Sequence, residues 1–361
     1  MALTTVRPQG MGFNTGRRNM VINGAMRVAQ RGTSSTSSGG YFTVDRMYWA
    51  KNNYDELAVT TSQSTEAPSG FSNSFRFQVT TAESALAADE LMYWVHHIEA
   101  QDLQHLNFGT SDAKSLTLSF WVRSSLTGTY SVLFYLTDDT RACTHTYTIN
   151  SADTWEYKTI TIDGDTTGVI DNDNGSGLGL YFTLSAGSDS KGTGSTSFNA
   201  YTASDFADSN QVDFAAQTGN YYITGIQLEV GENASDFEHR SVAEEEQLCK
   251  RYFQSWDNTA SDATSNRAIG AGVWYTATQI LAMFPFEVEM RAAPTFSTSA
   301  TDSIKAYGGG HAEQRTGGNG LDTIGTKCAR LNFTVGSRTA GQGCLVQRQN
   351  NGSTWELDAE L

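Results

Sequence analysis

The sequence predicts an all-β protein: a jelly-roll-like β-sandwich, a connecting α-helix and a second, smaller β-rich domain. Three observations carry that prediction. Between Ser115 and Val230, apolar and polar residues alternate with a period of two in one short run after another, the pattern of half-buried strands. Glycine is abundant (34) and proline sparse (4) among 361 residues, and only 17% of them are charged, which suits strands joined by tight turns better than a helical bundle. No helical segments separate the successive strand candidates, so a parallel βαβ architecture is excluded.

Residues 1–40 are polar and Gly/Ser-rich, with Arg17 and Arg18 and one apolar island at Met20, Val21 and Ile22. The island is too small for a core of its own and is expected to dock against another part of the chain or another subunit. The segment reads as an N-terminal arm for attachment or docking, and its TSSTSSGG run reads as a flexible connector.

The sandwich is expected over residues 41–240. Its strand candidates begin with YFTVDRMYWAK, LAVTTSQ and SFRFQVTTAE, the last placing Phe75, Phe77 and Val79 opposite Arg76, Gln78 and Thr80. AESALAADELM has helix propensity but is short, and is expected to be a loop with one helical turn. LMYWVHHIE, SLTLSFWVRSS, TYSVLFYLT, HTYTI, TWEYKTITI, LGLYFTLS and YYITGIQLEV complete two facing sheets. Leu116, Leu118, Phe120 and Val122 share one side of their strand. The sets Tyr130, Val132, Phe134, Leu136 and Leu178, Leu180, Phe182, Leu184 do the same, so the three can join one apolar layer.

A helix is expected over residues 241–256. Ser241 and Glu244 form a capping box, Glu245 and Glu246 suit the positive end, and Lys250 and Arg251 suit the negative end. Leu248, Tyr252 and Trp256 fall four apart on one stripe, a candidate seam for oligomer or domain contact. Residues 257–361 form the second β-rich domain, with FPFEVEM, PTFSTS, CARLNFTV, CLVQR and TWELDAEL as strands between Gly-rich loops.

Charge and composition exclude several functions. A net charge of -15 opposes a polyphosphate backbone, so nucleic acid is not an expected partner. Cys143, Cys249, Cys328 and Cys344 show no CxxC pairing, so neither a zinc site nor a disulfide framework is indicated. No apolar run approaches the roughly 18 residues that span a bilayer, and Met1 to Gln9 lacks a basic-then-apolar leader, so no membrane insertion is expected.

The cluster His96, His97, Glu99 and His105 is a weak metal candidate, because adjacent strand residues point to opposite faces. DNDNG at 171–175 is similar to a calcium loop, but Gly175 stands at the fifth position and Phe182 at the twelfth, where ligands are needed. No metal or other cofactor is assigned, although calcium held by other carboxylates and main-chain oxygens stays open. No carboxylate pair or nucleophile is singled out for catalysis, and the chain is expected not to be an enzyme. Sugar binding needs aromatic rings lying beneath pyranose faces with planar polar groups beside them. Trp121 and Arg123 lie opposite Phe120 and Val122, and Tyr181 lies opposite Leu180 and Phe182; with Tyr135 they are the candidates for one ligand-facing sheet. The alternative is that such aromatics pack under loops or at subunit contacts.

Through INGAMRVAQRGTS (22–34), VDRMYW (44–49), SLTLSFWVRSSLTGTY (115–130), TGIQLEVGENASDFEHRS (224–241), the EEEQLCKRYFQ helix, MRAAPTF and the terminal LDAEL, the chain resembles a family of bacteriophage virion proteins. These are tail fibres and related tail or receptor-binding proteins, marine and cyanobacterial phages among their sources. The resemblance covers essentially the full length; where the family often has an aromatic directly after DR, this chain has Met47 followed by Tyr48 and Trp49. It implies a sandwich similar to carbohydrate-binding modules, a homotrimer, attachment to other tail or particle proteins and contact with the host surface. The expected function is therefore a structural virion component, made in the host cytoplasm, that adheres to host-surface polysaccharide or another envelope receptor. A capsid- or neck-attached decoration protein without glycan binding and a host polysaccharide depolymerase are the alternatives.

Overall fold

Alternation in the sequence is matched by strands β1 (Ser34–Ser35), β2 (Tyr48–Asn52), β3 (Ala58–Ser64), β4 (Ser74–Thr81), β5 (Leu91–Glu99), β6 (Leu116–Ser124) and β7 (Gly128–Leu136). They continue with β8 (Arg141–Ile149), β9 (Glu156–Ile162), β10 (Ser176–Ala186), the two-residue strands β11 (Lys191–Gly192), β12 (Asn199–Ala200) and β13 (Ala207–Asp208), and β14 (Gly219–Val230). The computed structural model describes residues 18–257, 267–298, 304–308, 311–314, 317–336, 338–348 and 354–361. The chain divides into two units, Met1–Glu245 and Glu246–Leu361.

The first unit is a jelly-roll-like β-sandwich of two six-stranded sheets. Sheet one has the order β1-β3-β4-β14-β6-β9 and sheet two the order β12-β8-β7-β10-β5-β2, with every pairing in both antiparallel. The three apolar sets predicted from alternation all enter the shared core. Aromatic contacts join the sheets: Phe120 of sheet one meets Phe182 of sheet two edge-on at 5.3 Å, and Tyr147 and Tyr221 share a hydroxyl hydrogen bond of 2.8 Å. Within sheet two, Trp94 and Phe182 stack at 4.1 Å with planes 8° apart.

From Arg18 onward the N-terminal segment docks on this chain's own sandwich; residues 1–17 lie outside the described residues. Val21 and Met26 are buried in the sandwich core. Met20 donates its N–H to the Leu228 carbonyl at 2.9 Å, and buried Asn23 donates its side-chain amide to the carbonyls of Val28 and Asp45 at 2.9 and 3.0 Å. The run expected as a flexible connector contains β1, which pairs Ser34 and Ser35 with Ser62 and Thr61. The segment looks loop-like because its polar side chains supply the hydrogen bonds that buried main chain requires. Residues 82–90 contain no helical turn; a 3-10 helix over Ala100–Leu106 follows β5 instead.

The expected helix over 241–256 is also corrected. It runs only over Val242–Lys250, with Ser241 Oγ accepting the Glu244 N–H at 3.2 Å and Lys250 bridging Glu246 at 2.6 Å. Of the predicted stripe, Leu248 is half-buried on the helix, Tyr252 is buried in the turn after it, and Trp256 lies on the strand Phe253–Asp257. FQSWD also alternates with a period of two, and a strand partner decides between the two periods: Phe253–Asp257 pairs with Thr354–Asp358. In the second unit that strand, Thr354–Asp358 and Thr295–Thr298 make a three-stranded sheet. A seven-stranded sheet runs His311–Gln314, Ile304–Gly308, Gly343–Arg348, Arg267–Trp274, Gln279–Pro285, Cys328–Thr334, Gly317–Asp322. Trp355 and Trp256 both meet Phe284 edge-on, at 5.6 and 5.1 Å, so the two sheets share one core. Among the described residues no helix is long and apolar enough to cross a membrane.

Candidate functional site

The outer face of sheet two carries a row of tyrosines. In β5, Met92, Trp94 and Ile98 enter the core, so Tyr93, Val95 and His97 stand on the opposite side. Register then sets the neighbours. Val95 is opposite both Tyr48 of β2 and Tyr181 of β10, while Tyr135 of β7 is opposite Gly179. Tyr48, Tyr93, Tyr181 and Tyr135 therefore zigzag across four adjacent strands, a span of roughly 14 Å at the usual strand spacing. Successive ring centroids are 6.5, 5.7 and 6.1 Å apart. Tyr41 extends the row beyond Tyr48 at 5.4 Å, with the Arg31 guanidinium over its ring at 5.5 Å, and Tyr201 extends it beyond Tyr135 at 5.1 Å. All six rings are half-buried.

Local sequence holds the rings in place. Gly179 leaves room for the Tyr181 ring to lie down on the sheet: a Cβ at 179 would sit 2.5 Å from Tyr181 Cε2. Phe206, from the loop after β10, packs on Tyr93 at 5.2 Å and on Tyr181 at 5.6 Å, forming a wall. Buried Leu133 completes an apolar underlayer with Val95.

Apart from Arg31 at one end, the titratable side chains of the row are tyrosines and His97. Burial raises the phenol pKa values of Tyr93, Tyr181 and Tyr201, so these hydroxyls keep their protons. Burial, with the nearby Arg46 guanidinium, lowers His97 to about 4, so its ring is uncharged near neutral pH. His97 Nδ1 lies 3.0 Å from Ser176 Oγ, and its ring meets Tyr181 edge-on at 5.7 Å. Tyr48 and Tyr93 lie 27° apart, while Tyr135 stands at 85° to Tyr181, so the row offers a mixture of ring faces and ring edges with phenol hydroxyls, chemistry that suits an uncharged, hydroxyl-rich ligand.

The expectation that Trp121, Arg123, Tyr135 and Tyr181 share one sheet is corrected. Tyr135 and Tyr181 belong to the tyrosine row, but β6 lies in sheet one, so Trp121 and Arg123 face outward on the other side of the sandwich. Alternation assigns a residue to one side of its strand and is silent about which sheet the strand joins; the SSLTGTY turn carries the chain from one sheet to the other. Arg123 is held by Glu66 at 2.7 Å and lies over the Tyr222 ring at 5.2 Å. Among the histidines, His96 accepts the Ile22 N–H on Nε2 at 3.3 Å, while His97 occupies the outer face. In the 171–175 segment, Asp173 Oδ1 accepts the Gly175 N–H at 2.7 Å, a turn-closing bond. Among the described residues no three His, Cys, Asp or Glu side chains are grouped to hold a metal ion.

Tyr48 and Tyr93 were missed, although a signal for them exists. Each is the middle residue of a Met-Tyr-Trp triplet, 47–49 and 92–94. Trp49 and Trp94 are buried and pair with each other across β2 and β5, so both preceding tyrosines must face outward. Tyr41 opens the YFTVDRMYWAK run but lies before β2, and Tyr201 follows the two-residue β12, so neither has a buried tryptophan partner to orient it.

No family model and no curated protein matches the chain. Among solved structures it is similar to the enzymatically active domain of tailspike protein 4 of bacteriophage CBA120, with 14% identity, 59% of this chain and 21% of that chain covered, and a TM-score of 0.32. The chain thus spans about a fifth of that tailspike chain's length. It is also similar to the family 11 carbohydrate-binding module from Clostridium thermocellum in complex with a β-1,3-1,4-mixed-linked tetrasaccharide, with 11% identity, 57% and 98% coverage and a TM-score of 0.29. A third similar structure is TmCBM61 in complex with β-1,4-galactotriose, with 8% identity, 60% and 100% coverage and a TM-score of 0.29.

Proposed function

We propose that the first unit binds carbohydrate along its tyrosine face, and that the protein is a non-enzymatic adhesion component of a phage virion, a tail fibre or receptor-binding protein acting as a homotrimer. The observation that carries the glycan reading is the continuous row of Tyr48, Tyr93, Tyr181 and Tyr135 across four adjacent strands. Exposed phenol faces take the C–H faces of sugar rings, and the phenol hydroxyls exchange hydrogen bonds with sugar hydroxyls. Such contacts are individually weak. With a Kd of roughly millimolar per site, three chains and several fibres acting together reach useful avidity through effective concentration. The virion reading is supported by the family motifs of the sequence, from INGAMRVAQRGTS to LDAEL.

Purified full-length protein tested on susceptible cells and on a microarray of bacterial surface glycans checks this reading. The wild type is expected to adsorb to cells, to block infection and to leave polysaccharide length unchanged. The double variant Tyr93→Ala/Tyr181→Ala is expected to lose at least tenfold in glycan affinity, as two stacked rings are removed (about 1 kcal/mol each). Undiminished binding by that variant refutes the site. Shortened polysaccharide refutes the non-enzymatic assignment, and particle attachment without any adsorption favours a decoration protein.

A further inference from the structure

The other outer face of the sandwich has a cleft of about 400 Å3 lined by Ser119, Trp121, Tyr157, Gly225, Asp236 and Phe237, among others. We propose that this cleft is a second saccharide site, independent of the tyrosine face, and that it takes a neutral pyranose. Its size lies within the range of small-molecule sites, about 300–1,000 Å3.

The cleft is constructed by three devices. Trp121 of β6 pairs directly with Tyr157 of β9, and their rings stand 5.3 Å apart at 48°, making one wall. On the other side of β6, the pairing with β14 is broken by a bulge between Thr224 and Gln227, the residues opposite Trp121 and Ser119. A bulge at that point re-aims side chains and opens the sheet surface beside the tryptophan. Gly225 occupies the bulge at φ 63°, and a Cβ there would stand 2.6 Å from the Phe71 ring, so the floor carries no side chain.

The loop after β14 forms the facing wall and is held in place. Glu229 accepts hydrogen bonds from the Ser235 N–H and hydroxyl at 2.8 and 2.7 Å. Glu238 donates its N–H to Gln227 Oε1 at 2.8 Å, and Arg18 donates to Ser235 Oγ at 2.9 Å. Phe237 is buttressed by Phe71 at 5.0 Å and His239 at 4.9 Å. These supports preorganise the cleft without a ligand.

Its chemistry selects an uncharged polyol. Tyr157 is 44% exposed, so its ring is available for stacking. Asp236 offers carboxylate oxygens that accept from hydroxyl donors. An Arg18 guanidinium nitrogen donates to the Asp236 main-chain carbonyl at 3.4 Å, which ties the N-terminal segment to this wall. With this site on one outer face and the tyrosines on the other, one sandwich can engage two glycan chains at once.

Seven tryptophans give seven indole N–H signals in a nitrogen-correlated NMR spectrum of the full chain, and Trp121→Phe identifies the relevant one. Methyl β-glucoside, methyl β-galactoside and methyl α-mannoside are titrated to about tenfold above a roughly millimolar Kd. The expected result is a saturable shift of the Trp121 signal by at least one glycoside, retained in Tyr181→Ala and weakened at least fivefold in Tyr157→Ala and in Asp236→Asn. No shift with any of the three overturns the proposal, as does a shift that Tyr181→Ala abolishes, or one produced only by tetramethylammonium, a cation probe. Failure here leaves cell adsorption through the tyrosine face intact, so the two readings are separable.

Discussion

Gly179→Ala probes the tyrosine face without removing a single aromatic ring. The new methyl would stand 2.5 Å from Tyr181 Cε2 and 3.4 Å from His97 Nδ1. Carbon atoms prefer separations of about 3.5–4.0 Å, so the Tyr181 ring must retreat by about 1 Å. The obstacle is the edge of a side chain that can rotate, so the cost is that of an off-rotamer ring, about 0.5–1.5 kcal/mol. Alanine regains about 0.5–1 kcal/mol in a strand, because glycine loses more freedom on folding. Net stability should change by less than about 1 kcal/mol, a shift of about 2–4 °C in Tm for a unit of this size. Glycan affinity should fall by about fivefold, because a lifted ring forfeits one stacking contact of about 1 kcal/mol. Differential scanning calorimetry and isothermal titration with the glycan identified on cells separate the two effects. An unchanged Kd at unchanged Tm refutes the idea that Tyr181 must lie flat, and a Tm loss above about 10 °C refutes the idea that only a ring edge stands in the way.

Three further outcomes are expected. Gly24→Ala should destabilise the first unit by at least about 3 kcal/mol, read as a large fall in Tm, because its Cβ would meet the Ile226 carbonyl oxygen at 2.1 Å and that backbone is pinned by Ile226 N–H to Gly24 O at 3.0 Å. Phe182→Ala should cost about 3–5 kcal/mol in urea unfolding, since the fully buried ring stacks on Trp94 and abuts Phe120. His97 has a folded-state pKa of about 4 against a usual 6.5, so the unfolded chain binds the extra proton between those values. Its contribution to stability is complete above about pH 6.5 and is lost as the pH falls toward 4. His97→Gln should therefore flatten the acid limb of a stability-pH curve by about 2 kcal/mol, after discounting for the part-exposed ring; an unchanged limb refutes this assignment.

Alternation made the sandwich core legible because strands buried on one side leave a period of two in the sequence, as in Leu116 to Val122 and Leu178 to Leu184. It also put Tyr135 and Tyr181 correctly on outer surfaces. What it could not supply was the sheet each strand enters, since the turn after Ser124 could close a hairpin or cross the core. Trp121 was therefore grouped with tyrosines on the opposite side of the molecule. The helix was overextended because LCKRYFQSW satisfies a four-residue stripe and a strand period together, and only the distant Thr354–Asp358 segment distinguishes them. Asn19 and Asn23 read as loop residues, yet both are buried, with side chains that replace main-chain partners.

The stretch beginning at Arg18 also sets how this unit would respond to tension. Arg240 donates to the Asn19 and Val21 carbonyls and bridges Glu245, whose carboxylate accepts the Asn23 N–H; Glu238 takes the Asn19 N–H at 2.9 Å. Residues more than 200 positions apart are thus knotted together where the polypeptide enters and leaves the sandwich. A pull applied at residues 18 and 245 would strain this clasp first, together with the Met20–Leu228 bond that anchors the segment to β14, and would leave sheet two outside the path of the force. Tension along the chain would thus be taken up by a few charged and amide hydrogen bonds before it reached the outer face that carries the tyrosines.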